Sequence, residues 1–264
     1  LFIDHPTVHD YIASENGTIS NAFSIVEGVD VENVRIAHLV VDGDRATNDY
    51  INGCRGGGIY LHKARNSTVE GVHVRNFNGD SFSWQVTENI TVRDSEASYG
   101  GGLGFHPGTG SDGSIVIHNR SHHNLQDGLF LCWRVQNGEF RDNEVYANQR
   151  HGISIGHKDT DNLFENNRVY ENARNGIHFR NENEQNGGHR NTFIKNTIED
   201  NGVDGDAAYG FYVGGETHDI FIRNNAIRST GKGKQVGAIF IGKSAQRVTI
   251  ENNEISGHEE IVRE

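Results

Sequence analysis

The sequence predicts an all-β chain wound as a right-handed parallel β-helix, a solenoid of about nine to ten coils. Three observations predict it. Apolar residues alternate with variable ones at a period near 2, and the 3.6-residue spacing of an amphipathic helix is absent. Glycine-led segments recur at near-constant steps, and so does a separate asparagine motif lying between them. A unit this small cannot bury its apolar face alone and must stack on copies of itself.

The first strand of each coil opens on glycine. Members are "GIYLHKA" (58–64), the irregular "SFSWQVT" (81–87) and "GFHPGTG" (104–110), then "GLFLCWR" (128–134), "GISIGHK" (152–158), "GIHFRNE" (176–182), "GFYVGGE" (210–216) and "GAIFIGK" (237–243). From 128 to 210 the steps are 24, 24 and 34 residues. A second strand follows in "NITVRDS" (89–95), "GSIVIHN" (113–119), "NLFENN" (162–167) and "DIFIRNN" (219–225). The third belongs to "DNEVYANQ" (142–149), "NNRVYENA" (166–173), "KNTIEDNG" (195–202), "NNAIRSTG" (224–231) and "NNEISGHE" (252–259). Here Asn143, Asn167, Asn196, Asn225 and Asn253 step by 24, 29, 29 and 28 residues. Amides so placed at turns are expected to form internal ladders that satisfy buried backbone groups. The longer steps mark inserted loops at 181–190 and 199–209. Alternation points Leu129, Leu131, Ile153, Ile155, Ile177, Phe179, Phe211 and Val213 into the core.

One domain over 1–264 suffices for the 264 residues. With 33 glycines, two prolines and no methionine, the chain starts at Leu1, which fits a piece of a longer secreted or periplasmic protein. No apolar run reaches the length of a membrane span, so no membrane partner is expected, and a monomer is. Two cysteines, Cys54 and Cys132, set no disulfide framework. A formal net charge of −12 argues against nucleic acid, which needs a basic face. An acidic sugar is still compatible, because screening over roughly 8 Å lets a local cationic groove act on its own.

The same alternation sorts the outward residues. Two positions after each glycine the column reads Tyr60, Ser83, His106, Phe130, Ser154, His178, Tyr212. Four positions after it, the column reads His62, Gln85, Gly108, Cys132, Gly156, Arg180, Gly214, with Arg134, Lys158, Glu182 and Glu216 at the following turn. Any one histidine on such a face is ordinary surface decoration. The clustering of imidazoles, aromatics and guanidinium groups with glycine gaps is what suggests an open trough for a sugar, where aromatic rings could stack on its apolar faces. In "GGLGFHPGTGS" (101–111) glycines would let a substrate approach the backbone closely. His106 would then project from the floor as a general acid or base.

Two segments carry a resemblance. "SYGGGLGFHP" (98–107) and "VYANQRHGISI" (145–155) resemble the catalytic β-helix of mannuronan C-5 epimerases, which carry a Tyr-Gly-Phe-Asp-Pro-His segment and, about two coils later, Arg-His-Gly opening a strand. The aspartate before proline is missing here, and two extra residues separate the tyrosine from the histidine. The resemblance implies C-5 inversion of uronate residues, a reaction close to β-elimination by polysaccharide lyases. By the same resemblance Tyr99, His106, Arg150 and His151 would be catalytic. Arg150, aided by Arg134, Lys158 or Arg180, would neutralise the substrate carboxylate, with His106 and Tyr99 as acid and base on opposite faces of the sugar. The structural alternative for Arg150 is pairing with Asp127 or Glu171. Phe130, Arg134, Ser154, His157, Lys158, His178, Arg180, Glu182 and Tyr212 would line subsites for a polysaccharide or oligosaccharide.

Two other functions compete. A glycoside hydrolase needs paired carboxyl groups, for which Asp159, Asp161, Glu182 and Glu216 are candidates, although acids in turns are ordinarily solvated. A non-catalytic module would bind polysaccharide and turn nothing over. No cofactor is required by either proton-transfer route. Calcium is a secondary option at Asp200, Asp204 and Asp206, or at Asp42, Asp44 and Asp49, although a polar loop explains both stretches. His122 and His123 lack partners for a zinc site, and Cys132 has no evident base beside it.

Overall fold

Strands of about three residues, separated by sharp corners, build the molecule. The computed structural model describes residues 24–48, 50, 56–204 and 207–264, with the backbone of His9–Tyr11 and Ser20–Ala22. Among the described residues there are three parallel sheets. The first has ten strands, from Ser24–Val29 through Gly57–His62, Phe82–Gln85, Phe105–Pro107, Leu129–Phe130, Ile153–Ile155, Ile177–Phe179, Ala208–Val213 and Gln235–Ile241 to Glu259–Arg263. The second has nine, from Arg35–Ala37 to Gln246–Glu251, and the third nine, from Val40–Asp42 to Glu254–Ser256. Each strand pairs with the one three places later in the chain, so three strands make one coil. An antiparallel pair, His9–Tyr11 with Ser20–Ala22, is an addition that the repeat does not foreshadow.

The corners explain why asparagine and aspartate punctuate the sequence. Asn66, Asn89, Asn137 and Asp161 turn the chain into the second sheet at φ 46–62°, and Asp94, Asp142 and Asn166 turn it into the third at φ 50–55°. These side chains tolerate the left-handed region better than other non-glycine residues. Gly113 takes the same corner position at φ 63°.

Inward residues stack in register. Ile59, Phe82, Phe105, Leu129, Ile153, Ile177, Phe211 and Ile239 form one buried column. Phe140, Phe164 and Phe193 of the second sheet stack with ring centres 4.8 and 4.7 Å apart. Each such side chain contributes on the order of 2 kcal/mol by leaving water. All eight core positions read from the alternation are buried.

The asparagine ladders are present. The backbone N–H of Asn119 donates to Asn143 Oδ1, and the same bond links Asn143 to Asn167, Asn167 to Asn196, Asn196 to Asn225 and Asn225 to Asn253, at 2.9–3.0 Å. Each Nδ2 also donates to the next Oδ1 and to a backbone carbonyl, as Asn167 does to Asn196 and Phe140. A second ladder runs Asn124, Asn148, Asn172, Asn201 and Gln235 at another corner. The ladders run unbroken past the inserted stretches. The first stretch carries the short 3-10 turn Glu184–Asn186.

Candidate active site

Pairing in the first sheet reproduces the outward columns. Tyr60, Ser83 and His106 align, as do Phe130, Ser154, His178 and Tyr212, with Phe240 continuing the row. Gly108 faces Cys132. The floor differs from the open trough that the glycines suggested. Tyr60, Ser83, His106 and Ser154 are buried, whereas Phe130, His178 and Tyr212 are partly exposed. Long neighbouring side chains fill the gaps. Arg180 lies across Gly156, where a Cβ would meet its Nε at 2.8 Å, and Gln85 lies across Gly108.

His106 is 1% exposed and built into a dyad. Its Nδ1 is 2.8 Å from Asp80 Oδ2, and the other Asp80 oxygen accepts the Leu103 N–H at 2.9 Å. An ionised carboxylate can only accept, so Nδ1 carries the proton and Nε2 of the neutral ring keeps its lone pair. That Nε2 is buried and has no hydrogen-bond partner. Phe130 stands edge-on to the ring at 5.4 Å, with the Arg180 guanidinium 4.5 Å from the Phe130 centre.

A second cluster lies one to three coils on, at the corner leading into the same sheet. Asp127 Oδ1 accepts the His151 N–H at 2.8 Å. Its Oδ2 is buried, without a hydrogen bond, 3.8 Å from Nη1 of Arg150, whose side chain is 41% exposed. Burial pushes the Asp127 carboxyl up and Arg150 draws it back down. His151 stacks on His178 at 3.9 Å, and His178 on Tyr212 at 5.0 Å. Burial, reinforced by His178 and by Arg150, Arg174 and Arg180, pushes His151 down to about 2. Burial and the same three arginines push His178 down to about 4. Both rings are therefore neutral near pH 7. Asn175 Nδ2 donates to His178 Nδ1 at 3.2 Å, which fits a neutral ring.

Tyr50 also belongs to this corner. Its hydroxyl accepts a hydrogen bond from Gln126, and a Cβ on Gly101 would sit 3.3 Å from its ring. Burial and the charge of Asp80 push its hydroxyl up, against the lowering effects of Gln126 and Arg150. Tyr99 turns the same corner just after the third sheet and packs there on His123 at 4.9 Å and edge-on to His122 at 5.7 Å. Its ring contacts are those histidines, whereas those of His106 are Asp80 and Phe130.

The remaining candidates are held as follows. Arg180 donates to Ser154 Oγ at 3.0 Å, to the Leu131 carbonyl at 2.7 Å and to Asp159 at 3.2 Å. Lys158 and Arg134 lie 5.7 and 5.9 Å from the Trp133 ring centre. His157 bonds Glu182 at 2.7 Å and also Cys132, so the cysteine does have a base beside it, supplied by the next coil. The acids proposed for hydrolysis are engaged. Asp159 is fully buried rather than solvated, accepting the Val135 and Gly156 N–H groups, Asp161 pairs with Arg190, and Glu216 accepts the Glu184 N–H. Nor are His122 and His123 simply exposed turn residues: their Nδ1 atoms are 2.8 Å apart and His122 stacks on Tyr146. Asp200 accepts from the Thr230 N–H on one carboxylate oxygen and from the Thr230 hydroxyl on the other, and Asp204 is exposed. Asp206, Asp49 and Cys54 lie outside the described residues. Among the described residues no three His, Cys, Asp or Glu side chains are grouped to hold a metal ion.

Asp80, Arg174 and Tyr50 escaped the sequence reading, and Asp127 entered it only as an ion-pair partner. The signal for the acids was there. The position before each strand-opening residue reads Asp80, Leu103, Asp127, His151 and Asn175, one column along the corner, but columns counted forward from the glycine pass over it.

Comparison with known proteins gives concordant results. The family model for the right-handed β-helix region matches residues 43–193. Mannuronan C5-epimerase AlgE6 of Azotobacter vinelandii is 31% identical over 132 residues, covering 48% of this chain and 12% of that protein. The solved A-module of mannuronan C-5 epimerase AlgE4 from the same organism superposes with a TM-score of 0.64 at 18% identity, over 90% of this chain and 76% of that one. A point mutant of the periplasmic alginate epimerase AlgG gives 0.61 at 12% identity, over 90% and 61%. These structural likenesses are likenesses of fold.

Proposed function

The chain belongs to the right-handed β-helix family, and on that scaffold we propose that it acts on an acidic polysaccharide by removing the C-5 proton of a uronate residue, with epimerisation as its outcome. The observation that carries this reading is a buried, carboxylate-oriented imidazole on the first sheet whose Nε2 is unsatisfied, with a partly exposed arginine two coils away at the corner entering that sheet. The 31% identity to a mannuronan C5-epimerase supports it.

The chemistry follows from charge. A proton beside a carboxylate resists removal until the carboxylate charge is offset. Arg150 receives the carboxylate as a bidentate partner, with Arg174 and Arg180 adding positive potential. His106 takes the C-5 proton on Nε2 while Asp80 holds the ring and stabilises the imidazolium. Tyr50, kept protonated by its raised pKa, returns a proton from the opposite face, the role that the sequence alone suggested for Tyr99. If the glycosidic oxygen leaves before reprotonation, the product is an unsaturated sugar and the enzyme is a lyase. Binding must displace Phe130 and Arg180 to reach His106. The route uses side chains alone and needs no cofactor. A secreted or periplasmic location suits a polymeric substrate.

Incubation with polymannuronate and polygalacturonate in heavy water tests this. Deuterium at C-5 without chain cleavage supports the epimerase. Ultraviolet absorption from a new double bond supports the lyase. Binding with neither signal, unaltered in His106→Ala, makes the protein a carbohydrate-binding module and ends the catalytic reading.

A further inference from the structure

A second reactive centre lies on the exit side of the first sheet, independent of the uronate reading. Cys132 Sγ is 3.1 Å from His157 Nδ1, and His157 Nε2 is 2.7 Å from Glu182 Oε1. The three residues come from three successive coils. The two imidazole nitrogens point to opposite partners, which makes a linear relay, and no three such groups here are placed to hold a metal. Glu182 accepts the Nε2 proton, so Nδ1 of the neutral ring must accept from the thiol. Other charges face the thiol and its base. Arg180 bonds the carbonyl of Leu131, the residue before Cys132, and acts on His157, and it is tied to Asp159. Arg134 and Lys158 flank Trp133, whose ring lies 5.5 Å from that of His157. Cys132, His157 and Glu182 are all partly exposed. A nucleophile, a base and a group orienting the base, set among cations and open to solvent, is the arrangement that activates a thiol.

We propose that Cys132, His157 and Glu182 form an activated-thiol modification site that takes hydroperoxides. The thiol proton passes to His157 Nδ1, and Glu182 stabilises the imidazolium. The thiolate attacks one peroxide oxygen, so that an S–O bond forms and the O–O bond breaks. Sulfur is oxidised by two electrons to sulfenic acid, and the departing hydroxide, or the alkoxide of an alkyl hydroperoxide, takes the proton from His157 and leaves as water or as the alcohol. The added oxygen stands on the first-sheet face between Gly108 and Gly156.

The test follows alkylation of Cys132 by iodoacetamide against pH, using peptide mass spectrometry to separate it from Cys54. A low-pKa thiolate is intrinsically less nucleophilic, so the midpoint of the curve is a better reading than the rate at one pH. The midpoint is expected at or below about pH 7, against about 8.5 for an ordinary thiol. It should rise by about one unit or more in His157→Asn and by less in Glu182→Gln, the latter serving if the former fails to fold. Hydrogen peroxide followed by dimedone should label the Cys132 peptide in the native protein. A wild-type midpoint near 8.5, variant curves that superpose on the wild type, or no dimedone adduct would overturn the proposal.

Discussion

Replacing Asp80 with asparagine separates what this carboxylate does for the fold from what it does for His106. One oxygen accepts the Leu103 N–H at 2.9 Å and the other accepts from His106 Nδ1 at 2.8 Å. The amide can keep the first bond through its oxygen but turns an NH2 towards the ring. Nδ1 must then accept, which moves the ring proton to Nε2 and removes the lone pair assigned to C-5. Deuterium exchange into polymer should fall by about 10²–10⁴-fold, a barrier increase of about 3–5 kcal/mol. Exchange of a charge-assisted hydrogen bond for a neutral one should cost only about 1 kcal/mol of stability. Asp80→Ala should cost more, about 2–5 kcal/mol, because it orphans the buried Leu103 N–H as well as the ring. Heavy-water exchange, urea unfolding and imidazole nitrogen NMR read the three effects separately. If Asp80→Asn exchanges within about threefold of wild type, or its His106 tautomer is unchanged, the dyad is not the base.

Three other outcomes follow from the geometry. Arg150→Lys keeps the charge but loses the two-pronged contact, so uronate polymer should bind about tenfold more weakly in calorimetry while a neutral glucan is unaffected. His178 is held near 4, below its unfolded value of about 6.5, so the folded protein binds fewer protons than the unfolded chain between those values. Stability present at pH 7 should fall as pH drops through that window, and urea midpoints at pH 7 and 4.5 should differ less in His178→Phe. Asn167→Ala removes the acceptor for the Asn143 N–H and one of its amide protons, both buried, and should cost about 3–5 kcal/mol in urea unfolding.

The fold was legible because one short pattern repeats. Alternation fixed which of Leu129, Ile153 and Phe179 face inward, and the spacing of Asn143, Asn167 and Asn196 gave the ladder. The site was legible only as columns. Register placed His106, Phe130, His178 and Arg180 on one face, but how far a long side chain reaches is not written in register. Hence Arg180 covering Gly156 and the burial of His106 could not be read. Tyr50 was hidden for another reason. It lies outside the repeat, so nothing in the pattern ties it to Gln126, 76 residues away.

The ladders have a consequence for how such a protein can change. Asn162 reaches Asn191 across 29 residues with the bonds that Gly138 and Asn119 make across 24 to Asn162 and Asn143. Between Asn201 and Gln235 the interval stretches to 34. The amide therefore counts turns of the winding and ignores contour length, which makes each winding an exchangeable cassette. Segments could be lengthened or grafted at the bend after Arg180, beside the cysteine relay, to reshape what the surface recognises while the apolar interior stays as it is.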